Sequence, residues 1–108
     1  MSLLVRKSDF FQRDLINQFQ WYVRNGGESV AWRFEAQIDQ TIAKQPAIGR
    51  QRTFIHPLLQ GPRSFRVRAP FETFLIFYRF DDRFIDAWRL MHGGRDLPRR
   101  LSEPPESP

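Results

Sequence analysis

The fold is decided by the stretch TFLIFYRF, residues 73–80. This stretch is rich in β-branched and aromatic residues and is apolar on both faces, which predicts the central strand of a sheet. Asp81-Asp82 supplies a turn, and Phe84 to Met91 is the predicted return strand. Upstream, Ser64 to Arg68 alternates polar and apolar residues, which is typical of a half-buried strand. The three segments together predict an antiparallel meander.

A two-residue turn at Asp81-Asp82 sets the expected pairing of the last two strands. It places Arg79 opposite Phe84 and makes Arg79 and Asp86 diagonal neighbours, close enough to form an ion pair. A one-residue difference in turn length would exchange the two faces. We expect the helices to pack on the face with small and branched side chains, which are Ile76, Ile85 and Ala87. The other face is expected to be aromatic, formed by Leu75, Phe77 and Trp88, and a partner segment is expected to cover it if the helices do not.

Two helices are predicted before the sheet. Ser8 is the expected N-cap of the first, which runs from about Asp9 to Arg24 and stops at Asn25-Gly26-Gly27. Ser29 is the expected cap of the second, and Pro46 ends it. The apolar residues recur at helical spacing, at Phe11, Leu15, Phe19 and Tyr22/Val23, and then at Ala31, Phe34, Ile38 and Thr41/Ile42. The short glycine link predicts an antiparallel αα-hairpin.

The remaining segments complete the predicted architecture. Leu3-Leu4-Val5 is an expected edge strand, 46–50 an expected turn, and 51–62 irregular chain with Pro57, Gly61 and Pro62. The fold class is therefore α+β: an N-terminal strand, an αα-hairpin and a three-stranded antiparallel meander, with the helices packed on one sheet face. Residues 1–101 are predicted to form a single domain, and 102–108 a disordered tail.

Composition and charge exclude several classes of function. Cysteine is absent, so disulfides, thiol nucleophiles and Cys-ligated metal sites are excluded. No stretch reaches the ~20 apolar residues of a membrane span, and we expect a cytoplasmic protein with no membrane partner. The positive charge is concentrated in residues 50–79, which hold six arginines and one acidic residue, Glu72. This excess predicts an anionic partner, such as nucleic acid or an acidic protein surface, or else a solvated charged face.

Catalytic motifs are scarce in this sequence. HExxH, GxSxG, P-loop and GxGxxG patterns are absent, and no cofactor or metal is expected. What remains is a set of arginines with one histidine, namely Arg63, Arg66, Arg79 and His92. Guanidinium groups can stabilise a crowded phosphorane while a histidine transfers the proton, which are the requirements for RNA cleavage. Structural roles for the same four side chains are the alternative.

Four short motifs occur in order along the chain, PAIGR at 46–50, GPRSF at 61–65, FLIFYR at 74–79 and MHGGRDL at 91–97. With the order of elements, they resemble the RelE/ParE toxin superfamily of bacterial type II toxin–antitoxin modules, which act in plasmid stabilisation. The resemblance extends from about Leu3 to Leu101. The closing motif is most similar to the ParE branch.

The resemblance implies a small toxin that is neutralised by a cognate antitoxin, with a toxin–antitoxin heterotetramer as the expected complex. ParE-like members inhibit DNA gyrase by protein binding, whereas RelE-like members cleave mRNA on the ribosome. The RelE-type site resembles a lysine and arginine cluster with a C-terminal tyrosine. Here residues 51–68 hold no lysine and no tyrosine follows Tyr78, but His92 lies where some ribonuclease members carry a histidine.

Three hypotheses follow from these observations. The first is a ParE-like gyrase inhibitor with no chemistry of its own. The second is a ribosome-dependent mRNA endoribonuclease that uses Arg63, Arg66, Arg79 and His92 as catalytic residues, and the third is a related protein that has lost activity. We expect the target or the antitoxin to contact four other residues, Arg68, Trp88, Arg95 and Asp96. Trp21 and Trp32 are expected either to be exposed anchors for a partner or to pack on each other across the hairpin.

Overall fold

The computed structural model describes residues 4–44, 50–51, 63–93 and 103–105 of the 108-residue chain. Within these residues the elements are strand β1 (Leu4–Lys7), helices α1 (Asp9–Gly26) and α2 (Glu28–Lys44), and strands β2 (Arg50–Gln51), β3 (Arg63–Arg66), β4 (Phe74–Phe80) and β5 (Phe84–His92). The strands form one sheet in the order β1-β5-β4-β3-β2. Strands β3, β4 and β5 are the predicted antiparallel meander, and β1 pairs parallel to β5. The α+β class is confirmed.

Helix α1 begins at the predicted residue. The Ser8 Oγ accepts the backbone N–H of Phe11 (3.0 Å) and donates to the carbonyl of Trp88 in β5 (2.7 Å). The Ser8 backbone N–H also donates to the carbonyl of Ala87 (3.0 Å). Ser8 therefore caps the helix and fixes its first turn beside the last strand.

The break between the two helices is shorter than predicted. Helix α1 continues past Arg24 to Gly26, and α2 begins at Glu28, so the predicted cap at Ser29 is wrong. Gly27 separates them with a φ of +90°, a conformation that glycine adopts without a steric penalty. Its carbonyl accepts the N–H of Ala31 (3.2 Å) and so begins the next helix. Neither described helix is both long and apolar enough to cross a bilayer.

The main core lies between the helices and one face of the sheet. As predicted, this is the face that carries Ile76, Ile85 and Ala87. The helices contribute their buried residues Phe11, Phe34, Ile38 and Ile42. The half-buried Tyr22 joins an aromatic group whose ring centroids lie 5.0–6.4 Å apart, formed with Phe34, Phe71 and Phe74. Burial raises the pKa of the Tyr22 phenol.

The predicted register of β4 and β5 is wrong. The Asp81 carboxylate accepts the N–H groups of Arg83 (2.8 Å) and Phe84 (2.7 Å), which makes the turn longer than two residues. Arg79 is therefore directly opposite Asp86, not diagonal to it. Because this shift is two residues, the expected faces of Ile85 and Ala87 are kept. A β-bulge then shifts the register again, between Phe77 and Tyr78 of β4.

Two other predictions are corrected. Arg50–Gln51 pairs with β3 as a two-residue strand, where a turn and irregular chain were predicted, because two residues carry no readable periodicity. Strand β3 ends at Arg66 instead of Arg68. The predicted disordered tail stays a prediction; of its residues the structure describes Glu103–Pro105, and the Glu103 carbonyl accepts a hydrogen bond from Arg89 (2.6 Å).

The sheet face opposite the helices, which we call the far face, is the predicted apolar and aromatic face. Its side chains Leu75, Phe77 and Met91 are buried and form a second apolar cluster. Trp88 is half-buried and packs against this cluster.

Candidate functional site

Arg66 lies on the far face at the end of β3, where its register partner is Leu75. Its side chain is exposed, and Nη1 donates to the carbonyl of Glu72 (2.8 Å). Gly93 follows β5, and its N–H donates to the carbonyl of Thr73 (2.6 Å). A Cβ at Gly93 would lie 3.1 Å from that carbonyl oxygen and 3.9 Å from Nη1 of Arg66. The glycine therefore lets the end of β5 approach the Thr73 carbonyl closely.

Arg79 also lies on the far face, but at the opposite end of β4. It is four residues from Leu75, which corresponds to about 13 Å along a strand. Its register partner, Asp86, accepts two hydrogen bonds from Arg6, of 2.6 and 3.0 Å. The hydrogen bond to Asp86 raises the pKa of the Arg6 guanidinium, and the nearby charge of Asp81 adds to this shift. Arg6 also lies over the ring of Phe84, 3.8 Å from its centroid.

His92 is the last residue of β5 and lies on the helix side of the sheet. Its register partner is Phe74, and the two rings meet edge to face with centroids 5.4 Å apart. The imidazole is exposed. His92 and Arg66 therefore lie at the same end of the sheet but on opposite faces.

The structure does not bring Arg66, Arg79 and His92 to one point. General acid–base chemistry at a phosphate needs these groups within hydrogen-bond reach of one substrate. The backbone of Arg63 pairs with Tyr78, but its side chain lies outside the described part of the structure. Among the described residues there is also no group of three or more His, Asp and Glu side chains that could hold a metal ion. The described residues of this set are dispersed over the sheet.

The predicted contact residues fall into three groups. Arg68 is exposed just beyond the end of β3, and Trp88 packs on the far-face cluster with part of its ring accessible. Arg95 and Asp96 lie outside the described residues. Trp21 and Trp32 are both exposed and pack on different rings, Trp21 on Tyr22 (5.3 Å) and Trp32 on Phe19 (4.9 Å). This outcome favours the anchor hypothesis over a tryptophan pair across the hairpin.

A cleft of about 540 Å³ lies between α1 and the end of β5. Helix α1 contributes Trp21 and amide side chains such as Asn17, while β5 contributes His92. Glu103, Pro104 and Pro105 line a further part of it. This cleft was not predicted, because its walls come from segments that are far apart in the sequence; Asp14 and Arg89 are 75 residues apart.

Sequence reasoning also missed a buried ion pair at the bottom of this cleft. The Nε and Nη2 of Arg89 donate to the two carboxylate oxygens of Asp14, at 2.8 and 3.1 Å. Asp14 accepts a third hydrogen bond from the backbone N–H of Leu90 (3.0 Å). The available signal was an arginine within the apolar run 87–91 and an aspartate beside Leu15 on an amphipathic helix. Both side chains are almost fully buried.

Comparisons with known proteins agree with this architecture. The family model described as ParE toxin of type II toxin-antitoxin system, parDE, matches residues 5–97. Among solved structures, the chain is similar to one from the chromosomal ParDE toxin–antitoxin system of P. aeruginosa, with a TM-score of 0.66 and 17% sequence identity. That match covers 86% of this chain and 98% of the other. No curated protein sequence matches this chain.

Proposed function

This chain belongs to the family of ParE toxins of type II toxin–antitoxin systems, and we propose on that basis that it inhibits DNA gyrase by binding to it. The observation that carries the proposal is the extent of the family match, which runs from β1 to beyond the end of β5. The ParE branch of the superfamily acts by protein binding, so a gyrase inhibitor needs an interaction surface and no catalytic centre.

The dispersed arrangement of the cations supports this mechanism over RNA cleavage. Arg66 and Arg79 are exposed about 13 Å apart on the far face, and Arg68 is exposed beyond β3. Guanidinium forks bind carboxylates and phosphates with two parallel hydrogen bonds, which suits an extended anionic surface. His92 lies on the other face of the sheet and has no part in this surface.

The test is a gyrase supercoiling assay with the purified toxin. We expect inhibition by the native chain and equal inhibition by His92→Ala. Arg66→Glu is expected to raise the concentration needed for half inhibition about tenfold, because a repulsive charge replaces an attractive one. Arg13→Glu reverses an exposed charge on α1 and serves as the matched control, with no expected change.

The same toxin preparation is also tested in a ribosome-dependent mRNA cleavage assay. We expect intact mRNA at toxin concentrations that block supercoiling. Cleavage that disappears in His92→Ala would overturn the proposal in favour of the ribonuclease. If neither assay responds and expression leaves cells growing normally, the chain is an inactive relative and the proposal fails.

A cognate antitoxin is the second proposed partner. It is expected to cover the toxin and to abolish gyrase inhibition at an equimolar ratio. The proposed heterotetramer of two toxins and two antitoxins is tested by light scattering of the co-purified complex. A mass that corresponds to one copy of each protein would contradict the tetramer without affecting the gyrase proposal.

A further inference from the structure

A segment near the C-terminal end of the sequence forms part of the wall of the cleft between α1 and β5. Glu103, Pro104 and Pro105 line it together with Trp21 and His92. Pro105 is half-buried. The surrounding sequence, SEPPESP at 102–108, holds three prolines in seven residues. Such a sequence favours the extended polyproline II conformation before it meets any surface.

A buried donor holds this segment in place. Arg89 is 2% exposed, and its Nη1 donates to the backbone carbonyl of Glu103 (2.6 Å). The Asp14 carboxylate holds the Nε side of the same guanidinium, so the direction of Nη1 is fixed before any ligand arrives. A charged donor that is buried, oriented and directed at a peptide carbonyl is a built recognition element.

The chemistry of the cleft matches that of a proline-containing peptide. Proline has no backbone N–H, so a Pro-Pro segment presents carbonyl acceptors and apolar rings. Grooves that bind such segments combine an aromatic wall with side-chain donors. Here Trp21, which is 49% exposed, is the aromatic wall, and Arg89 is the donor. The amide of Asn17 lies in the same wall.

We propose that the cleft between α1 and β5 is a binding site for an extended proline-containing peptide segment, and that Glu103–Pro105 is its ligand within the chain. A partner segment of the same chemistry competes with Glu103–Pro105 for the cleft. The site is separate from the cationic far face that is proposed to contact gyrase.

The experiment measures binding of the synthetic peptide SEPPESP to the full-length chain by calorimetry. The Pro104→Gly/Pro105→Gly variant removes the internal ligand and is expected to bind the peptide saturably. A tethered segment has an effective concentration in the millimolar range, so a native tail with a Kd of roughly 0.1 mM weakens the added peptide about tenfold. The peptide SEGGESG is expected not to bind.

Two further variants locate the binding. In the glycine background, Trp21→Ala is expected to abolish peptide binding. Trp32→Ala is the matched control, because Trp32 is 60% exposed and lies on α2, and it is expected to leave binding unchanged. The proposal is overturned if the glycine variant does not bind, if the native chain binds equally well, or if both tryptophan variants behave alike.

Discussion

Strand β5 carries an ion pair near each of its ends, and the two pairs share their chemistry but not their surroundings. In each, one arginine donates two hydrogen bonds to one aspartate. The side chains of Arg6 and Asp86 are 55% and 47% exposed, whereas those of Arg89 and Asp14 are 2% and 9% exposed. Exposed pairs are screened by water and contribute little, but a buried charge that loses its partner remains without compensation. The two ion pairs have similar hydrogen-bond geometry, but their loss is expected to change the free energy of unfolding by different amounts.

The largest expected effect comes from Asp14→Asn. This change leaves the buried Arg89 guanidinium without a counter-charge, and it is expected to lower the free energy of unfolding by about 3–5 kcal/mol. Urea unfolding followed by circular dichroism measures the loss. The double variant Asp14→Leu/Arg89→Met removes both charges and is expected to recover most of it. If Asp14→Asn lowers the free energy of unfolding by less than about 1 kcal/mol, the Arg89–Asp14 pair contributes no more than an exposed ion pair does.

Gly93→Ala tests how tightly the Arg89 end of β5 is packed. The new Cβ would lie 3.1 Å from the Thr73 carbonyl oxygen, so backbone must shift to admit it. We expect a loss of about 1–2 kcal/mol in the same unfolding measurement. Gly26→Ala is the control, because its nearest contacts, with the Val30 side chain, are 3.4 Å away in a helix. Equal stability of the two variants would contradict the close approach at Gly93.

Asp86→Asn tests the exposed pair directly. The unfolding midpoint is expected to change less than in Asp14→Asn, because water screens both partners. The small difference from the native chain is expected to vanish at 1 M salt, where the Debye length is about 3 Å. The difference caused by Asp14→Asn is expected to persist there. If the change in stability caused by Asp86→Asn does not depend on salt, the proposed contrast between the exposed and the buried ion pair is wrong.

The turn before β5 gives the smallest effect, and only in acid. The N–H groups of Phe84 and Arg83 hold the pKa of Asp81 below its ordinary value of 3.8. Its stabilising contribution is therefore present above pH 3.8 and is lost as the pH falls through the lower, folded-state pKa. Between pH 2 and 5, the midpoint temperature of thermal unfolding is expected to depend less on pH in Asp81→Asn than in the native chain. If the midpoint temperatures of the two proteins change with pH in parallel, the Asp81 carboxylate does not make this contribution to stability.

The sequence predicts the elements of this fold better than their pairing. Helical periodicity gives the αα-hairpin, and the apolar run 73–80 gives the central strand, because both signals are local. Register depends on how the Asp81 carboxylate lengthens the turn and on a bulge, and neither is visible in a hydrophobic pattern.

The candidate site was harder to predict than the fold. His92 was predicted at a strand end, where the structure has it, whereas Arg66 was predicted in the middle of a strand that ends at Arg66. The sequence could not show that the two residues lie on opposite faces of the sheet. The Arg89–Asp14 pair was missed because charged residues are almost never fully buried without a partner, and the sequence does not show that these two residues, 75 positions apart, meet. Arg95 and Asp96 stay predictions, since they lie outside the described residues.

The parallel pairing of β1 with β5 has a consequence for synthesis of the toxin. Leu4 is the partner of Phe84, and the contact between Arg6 and Asp86 spans 80 residues. Strand β1 can therefore pair with β5 only after β5 has left the ribosome. Pairing between strands so far apart in the sequence is slow. A chain whose synthesis stops before β5 cannot complete the sheet. The folded toxin therefore forms only after β5 has been translated.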